Sequence, residues 1–486
     1  MTAVQLATAC GATVHGDGSI AVIGLTHRSS AVRPGFVFAA LPGQRRHGLE
    51  FLAEARERGA VAVLSDRNPG PDLLWLQAAA PRRATALAAW ALAGHPERSL
   101  RLVGVTGTNG KTTVVDLVAR IATAAGERVG MFGTLAYTLP GRSERAARTT
   151  PEAPDLAPLL AELAGGGGTL AVMEVSSHAL MLDRVAGLSF DVAVWTNLTR
   201  DHLDFHGSLE EYFLAKRRLA NHLRYDPPGR RVIGADDPTI ARLLAEPLPG
   251  DLAFGLGERC TVTAREPRFS VEGTAFTLVT PAGEIPVALP LVGRHNLRNA
   301  LAAAGAAVAL SLPLAAVAEG LRTAAPVPGR LEPVAVGAGL AVFVDYAHTP
   351  DALEQVLTAL REVSDRRLVV VFGCGGDRDP GKRAPMGEVV GRLADVPIVT
   401  SDNPRTEDPL AIVAAVMEGV RTSGNTRALT IPDRREAIAA ALAVTDDHSV
   451  VVIAGKGHET EQIFADRTIP FDDREVVREL ARRRRG

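Results

Sequence analysis

The stretch LRLVGVTGTNGKTTVVDLVARIATAA, residues 100–125, decides the fold. It opens with an apolar run, Leu100 to Val105, of the length of a buried strand. The turn Gly107-Thr108-Asn109-Gly110 interrupts it, and from Thr112 to about Ala125 the apolar residues Val115, Val118, Ile121 and Ala122 recur at helical spacing. In a strand, glycine turn and helix of this kind, backbone N–H groups at the helix N-terminus face bound phosphates. Lys111 is then placed to meet the terminal phosphates and Thr112 a magnesium ion. The candidate phosphate loop is Gly107, Thr108, Asn109, Gly110, Lys111, Thr112 and Thr113. The strict pattern GxxxxGK[ST] is not met, because Val105 stands at its first glycine and the glycine comes at 107, which keeps a plain glycine turn open as the other reading. The strict spacing does occur from Gly376 to Lys382, but there Arg383 replaces Ser/Thr, and Pro380 and Pro385 are expected to obstruct a helix.

Downstream of the loop, Leu170 to Val175 and Val192 to Thr196 read as further buried strands, and strands alternating with helices imply a parallel sheet. Residues 260–292 show short alternating runs, expected to form a small antiparallel sheet before a helix from Asn296 to Leu310. From Gly329-Arg330 onward a doubly wound pattern is clear: strand Leu340 to Asp345, helix Pro350 to Glu362, strand Leu368 to Phe372, strand Pro397 to Ser401, helices Pro409 to Arg421 and Arg434 to Val444, strand Val450 to Ala454. Thr349 is expected to cap the first of these helices, with Pro350 in its first turn. Ligands of such sheets sit beyond the carboxyl ends of the strands, where Asp345, Gly373, Asp402 and Gly455 fall.

Upstream, residues 1 to about 98 read as a small α/β unit that ends at the helix-stop signal Gly94-His95-Pro96. With 486 residues, more than one core is expected. The fold expected is α/β in three domains: 1–98, a central phosphate-loop domain 99–329, and a Rossmann-like domain 330–486. Aromatics are 4% of the chain against 46% hydrophobic residues, so Ala, Val and Leu must build the cores. A net charge of -2 supplies no field to attract nucleic acid or an anionic membrane. Three scattered cysteines, Cys10, Cys260 and Cys374, fit reduced thiols, and no cationic start with an apolar run, nor any bilayer-length apolar stretch, is present, so a cytoplasmic protein without membrane insertion is expected. The run Arg482 to Arg485 ends a charged helical segment, where cations suit the helix dipole.

Candidate chemistry gathers at the strand ends. Glu174 closes a strand where phosphate-loop proteins place a metal-holding acid. Ser176-Ser177-His178 and the stretch Asn197 to Asp204 add polar and metal-capable groups. The loop GTNGKTT, Glu174-Val175-Ser176-Ser177-His178, Asn197 to Gly207 and Ala215-Lys216 together resemble the central domain of the Mur ligases. The segments Asp345 to Pro350, Gly373 to Asp379, Asp402-Asn403-Pro404-Arg405 and Gly455-Lys456-Gly457-His458-Glu459 resemble the branch of that family that adds meso-diaminopimelate to UDP-N-acetylmuramoyl-L-alanyl-D-glutamate.

The resemblance implies a ligase in which ATP phosphorylates a substrate carboxylate and an amine attacks the acyl phosphate, in peptidoglycan precursor synthesis, with the enzyme acting as a monomer. It implies catalytic roles for Lys111, Glu174, His202 and Lys216. Thr112, Glu174, His202 and Lys216 would hold magnesium, Lys216 as the anionic carbamate formed with carbon dioxide. A lysine in this helical stretch also reads as a solvated side chain. Asn299, Arg330 and Asp345 would contact ATP. Ser29, Thr149, Thr150, Ser176 and Arg184 would hold the UDP-linked substrate, although Thr149-Thr150-Pro151 also reads as a helix cap. Arg383, Asp402, Asn403, Arg405, Gly455 and Glu459 would hold diaminopimelate. A planar guanidinium grips a distal carboxylate through two parallel hydrogen bonds, which makes Arg405 the expected discriminator against lysine.

The first domain departs from the family pattern: Asp-Ser-Arg is expected ahead of Pro-Gly-Asp, whereas Arg28-Ser29-Ser30 precedes Pro34-Gly35-Phe36, and only Ser29 aligns. Leu182 replaces a residue that is polar in some relatives. A lysine-adding ligase, a folylpolyglutamate synthetase and a phosphate-loop switch protein are the competing readings. The Asp402 to Arg405 segment and the distinct first domain oppose the synthetase, and the metal-type residues from several strands oppose the switch.

Overall fold

The structure is a computed structural model. It describes residues 1–486 apart from 44–45, 71–72, 327–328, 338–339, 447 and 484–486. Arg484 and Arg485 of the terminal basic run thus lie outside the described residues. The chain divides into two compact units: Met1–Glu266, Phe276–Val287 and Arg298–Thr323 form the first, and Pro267–Ala275, Ala288–Leu297 and Ala324–Gly486 the second.

Two sheets build the first unit. A five-stranded sheet runs in the order Thr13–His15, Leu74–Gln77, Ala62–Ser65, Phe36–Ala39, Gly24–Thr26. An eight-stranded sheet runs Leu252–Phe254, Arg230–Gly234, Val192–Trp195, Arg101–Thr106, Leu170–Glu174, Val129–Phe132, Ala136–Leu139, Arg142–Arg145. The strands from Leu252–Phe254 through Val129–Phe132 pair in parallel. The Arg101–Thr106 strand lies at the centre, and its neighbours Val105↔Glu174 and Thr106↔Trp195 are in register, so Glu174 and the residues after Trp195 emerge beside the loop at 107–110. The helix Lys111–Ala124 follows, burying Val114, Val115, Leu117, Val118, Ile121 and Ala122.

The second unit carries a six-stranded sheet in the order Glu332–Pro333, Ala341–Asp345, Ser449–Ala454, Arg367–Phe372, Val396–Val399, Leu429–Thr430, parallel except at the first pair. Its two faces bury separate clusters: Leu353, Leu357, Met386 and Val416 on one, Ala437, Ile438, Ala441 and Val477 on the other. Covering both faces of a parallel sheet is what a doubly wound fold requires. The stretch 260–292 supplies three further strands, Thr263–Ser270, Gly273–Thr280 and Gly283–Leu289.

Several local expectations need correction. Pro380 and Pro385 do not prevent a helix, since Arg383–Leu393 is helical with Pro385 in its first turn, where a missing N–H breaks no helical hydrogen bond. Thr149 and Thr150 do not cap a helix either; the helix runs Ala153–Gly165 with Glu152 at its N-cap and no side-chain cap. The strands Val129–Phe132, Ala136–Leu139 and Arg142–Arg145 were not foreseen: the first contains Gly130, and the last is exposed throughout, so neither shows the pattern of a buried strand. The Thr349 cap is present, with Ala352 N donating to Thr349 Oγ1.

Candidate active site

Gly110 occupies the left-handed region at φ 86°, and a Cβ there would lie 2.3 Å from Asn299 Oδ1. Glycine is thus required for the loop to turn into the helix and to lie against Asn299. The Thr108 N–H donates to Asn197 O, and the Asn109 N–H donates to Asn197 Oδ1 at 2.9 Å. Thr196 Oγ1 and Asn197 Nδ2 both donate to Asn109 O, at 2.7 and 3.1 Å. The end of one strand therefore fixes the shape of the loop on its neighbour.

Thr112 Oγ1 donates to Glu174 Oε1 at 2.9 Å, and the Thr134 N–H and Oγ1 donate to Glu174 Oε1 and Oε2 at 2.8 and 3.1 Å. Glu174 is only 1% exposed. Two hard oxygen donors, a hydroxyl and a carboxylate, converge next to the phosphate loop, a set suited to magnesium that keeps waters and substrate phosphate as its other ligands. Among the described residues no group of three or more His, Cys, Asp and Glu side chains gathers to hold a metal without such help.

Lys111 Nζ donates to Gly107 O and Thr108 O, both at 2.9 Å. Lys216, on the helix Leu209–Arg217, donates to the same Gly107 O at 2.7 Å. It is 1% exposed and lies 4.3 Å from the centre of the Tyr212 ring. Burial drives the pKa of Lys216 well down, the Lys111 charge adds to that, and Asp201 opposes it. Tyr212 is pushed up to about 12 by burial, so it stays a neutral phenol; its hydroxyl lies 3.3 Å from Thr108 Oγ1. His202 is exposed and stands edge-on to Tyr212 and to His178, with ring centres 6.1 and 4.9 Å away. The structure thus groups Thr112 with Glu174, and Lys111 with Lys216, while His202 belongs to an adjacent aromatic cluster.

Thr150 Oγ1 donates to Glu174 O at 2.9 Å and accepts from Ser176 N at 3.0 Å. Thr149 Oγ1 lies 3.1 Å from Thr134 Oγ1. Arg184 Nη1 donates to Thr150 O, and Arg184 Nε lies 2.8 Å from Glu152 Oε1. Burial lowers the pKa of Arg184, with Glu152 opposing. A cavity of about 920 Å³ opens here, lined in part by Arg28, Ser29, Arg82, Arg148, His178 and Arg184. Arg28 is held by Asp155 at 2.6 Å. The sequence singled out Ser29 and Arg184 but missed that, among the described residues, five arginines, Arg28, Arg46, Arg82, Arg148 and Arg184, share this cavity.

In the second unit Asp345 Oδ2 and Oδ1 accept from Leu331 N and Ala347 N at 2.6 and 2.7 Å; burial raises the carboxyl pKa and Arg330 opposes it. Arg330 itself lies over the Tyr346 ring at 5.2 Å. The loops at 373–379 and 402–407 are cross-braced. Gly376 N donates to Asn403 O, Thr406 Oγ1 to Asp377 Oδ1 at 2.6 Å, and Asp377 N to Glu407 Oε1 at 2.6 Å. Arg405 Nη1 donates to Gly376 O at 2.7 Å. Arg383 Nη2 donates to both oxygens of Glu407, at 2.8 and 2.7 Å, and that bond is the first reason the Glu407 pKa falls. Gly455 packs so close to Asp402 that a Cβ would lie 2.5 Å from Oδ2. Asn403 Nδ2 donates to Glu459 Oε2 at 2.7 Å.

The family description "Mur ligase middle domain" matches residues 105–307, and "Mur ligase, glutamate ligase domain" matches 329–457. A relative from Solibacter usitatus, named UDP-N-acetylmuramoyl-L-alanyl-D-glutamate--2,6-diaminopimelate ligase, is 44% identical over 94% of this chain and 93% of its own. The chain belongs to the Mur ligase family. A solved structure with the same ligase name superimposes with a TM-score of 0.74 and 33% identity, covering 100% of this chain and 99% of that one. MurF ligase from Thermotoga maritima in complex with ADP shares the fold, with a TM-score of 0.63, 19% identity, and 95% and 98% of the two chains covered.

Within this Mur ligase, three buried residues that the sequence reading left aside, Arg434, Asp473 and Lys456, brace the site. Arg434 and Asp473, both fully buried, pair at 2.7 Å, and Arg434 Nη1 and Nη2 donate to Ser401 O and Ala454 O. Lys456 is likewise fully buried beside Asn403 and Glu459. An Arg after an Asp-capped turn and a Lys between glycines look like surface residues in sequence; only the fold shows them inside. Among the described residues no helix is long and apolar enough to cross a membrane.

Proposed function

We propose that this chain is the ATP-dependent ligase that joins meso-diaminopimelate to UDP-N-acetylmuramoyl-L-alanyl-D-glutamate in cytoplasmic peptidoglycan precursor synthesis, acting as a monomer with domain limits 1–98, 99–329 and 330–486. The observation that carries the reading is the braced loop Asp402 to Arg405. It holds a half-buried guanidinium whose Nη1 is tied to Gly376 O, which leaves the Nε and Nη2 edge to meet a carboxylate side-on. The 44% identity to the diaminopimelate ligase relative supports it.

In the first unit, the N–H groups of Gly107 to Thr113 cradle the ATP phosphates, and Asn299 lies against the loop at Gly110. Lys111 exchanges its two carbonyl partners for phosphate oxygens. Thr112 and Glu174, joined by His202 and the modified Lys216, would hold magnesium, which would supply positive charge to the phosphates. Arg184, Thr149, Thr150, Ser176 and Ser29 orient the UDP-linked peptide so that its terminal carboxylate meets the γ-phosphorus. The carboxylate oxygen bonds to phosphorus as the bond to ADP breaks. Lys216, whose charged form burial and Lys111 disfavour, bonds through nitrogen to carbon dioxide and loses a proton, becoming an anionic carbamate.

In the second unit, Arg405 takes the distal carboxylate of diaminopimelate, Asn403 and Glu459 the distal ammonium centre, and Asp402, Gly455 and Arg383 shape the pocket. Arg330 and Asp345 address the nucleotide. The free amine bonds to the acyl carbon, phosphate leaves, and the nitrogen gives up its proton. The test is phosphate release from ATP in the presence of the UDP-linked dipeptide and diaminopimelate, lysine or glutamate in turn. Fast turnover is expected with diaminopimelate alone; a dominant lysine activity sinks the reading.

A further inference from the structure

Outside the catalytic set, the ammonium of Lys456, which follows the strand Ser449–Ala454, is fully buried at 0% exposure. Its three hydrogens have three acceptors: Asn403 Oδ1 at 3.1 Å, Glu459 Oε2 at 3.0 Å and Glu461 O at 2.5 Å. Asn403 Oδ1 also accepts from the Ile463 N–H at 3.1 Å. Two donors on one oxygen settle which way the amide points. Turned over, its NH2 would face an ammonium and an N–H, and its carbonyl would face the Glu459 carboxylate, which now lies 2.7 Å from Nδ2. Lys456 therefore orients Asn403 and occupies Oε2 of Glu459, whose side chain is 32% exposed.

We propose that Lys456 is a positioning residue that sets amino-acid specificity: by cancelling the charge of Glu459 from behind, it makes this rim polar but neutral, so that it accepts a ligand end carrying both ammonium and carboxylate over one carrying ammonium alone. The inference rests on the reading of function above. A bare carboxylate would pull most strongly on a bare cation, such as the far end of lysine. With the internal ammonium in place, that pull is offset, and hydrogen-bond geometry decides instead. The buried ammonium in turn depends on Glu459 and Asn403, because an uncompensated charge in this position would be strongly disfavoured.

The test uses the full chain and two variants, Lys456→Met and Asn403→Asp, each of which adds one net negative charge to the rim. Apparent KM for ATP, for the UDP-linked dipeptide and for each amino acid is measured, together with kcat/KM for diaminopimelate relative to lysine. In each folded variant the ratio is expected to fall about tenfold, the scale of one hydrogen bond to a charged group, while KM for ATP stays within about twofold. If Lys456→Met does not fold, Lys456→Gln, which removes the same ammonium while keeping a hydrogen-bonding end, decides the matter. An unchanged ratio in a folded variant, or three KM values rising together, overturns the inference. Absence of diaminopimelate-dependent turnover in the unmodified chain overturns the reading of function instead, and this inference with it.

Discussion

Lys111 and Lys216 donate to one and the same carbonyl, that of Gly107, from 2.9 and 2.7 Å. Two ammonium groups so placed disfavour each other's charge, and the one that is 1% exposed yields. Its folded pKa lies below the ordinary value, so between those two values the folded protein holds the neutral amine, while the unfolded chain holds the ammonium. Stability from this group rises with pH through that window, and reactivity toward carbon dioxide falls as pH drops below the folded value. Activity is therefore expected to decline when buffers are stripped of carbon dioxide, more so at lower pH, and to return with bicarbonate. Indifference to bicarbonate at every pH would remove the carbamate from the mechanism. Lys216→Ala should lower kcat about 10²–10³-fold, as loss of a transition-state charge partner does, with partial recovery on adding a short carboxylic acid. Arg405→Ala should raise KM for diaminopimelate by roughly 10- to 150-fold, the equivalent of about 1.5–3 kcal/mol, with kcat nearly unchanged.

At the scale of elements, the turn into the helix Lys111–Ala124 and the ends of the strands Val396–Val399 and Ser449–Ala454 hold the chemistry. A methyl group on Gly110 meets Asn299 Oδ1 at 2.3 Å and a backbone that side chains rarely adopt, at a cost of about 1–3 kcal/mol. Gly110→Ala is expected to raise KM for ATP well before it affects KM for the amino acid; equal effects on both would show that the loop is not the nucleotide cradle. Behind the amino-acid loop, Arg434 ties Ser401 O and Ala454 O to the buried Asp473. Removing one member of such a pair leaves an uncompensated charge, so Arg434→Met should cost about 3–5 kcal/mol in denaturant unfolding. The double variant Arg434→Met with Asp473→Leu should recover most of it. If the double variant is no better than the single one, the pair is not the origin of the loss.

At the scale of the whole molecule, apolar packing joins residues far apart in the chain. Within the first unit one hydrophobic cluster runs from Leu6 and Trp90 through Leu156, Val185 and Leu243, and Trp90 Nε1 donates to Ala186 O at 2.8 Å, so the proposed piece 1–98 packs against the segment that follows it. The clusters on the two faces of the six-stranded sheet come from residues 331–477 with the single addition of Val292. A fragment from Ala324 to the C-terminus is therefore expected to unfold cooperatively and to keep the Arg405, Asn403, Glu459 and Lys456 constellation, measured by thermal denaturation with and without diaminopimelate. A fragment that shows no transition would refute the 330 limit.

What was legible beforehand followed from local rules. Strand, glycine turn and helix at 100–125, and the alternation of apolar strands with amphipathic helices after 340, depend on neighbours a few residues away, and so the phosphate loop, the central strands beside it and the main strands of the six-stranded sheet could be read from the chain itself. The candidate residues of the loop were legible for the same reason. The partners of the buried charges were not. Lys216 meets Gly107 across 109 residues, Lys456 meets Asn403 across 53, and Arg434 meets Asp473 across 39. Burial and electrostatics depend on distances in space, and only the folded chain, by excluding water around these groups, decides which lysine is pushed toward its neutral form, which way an amide faces and which charges cancel.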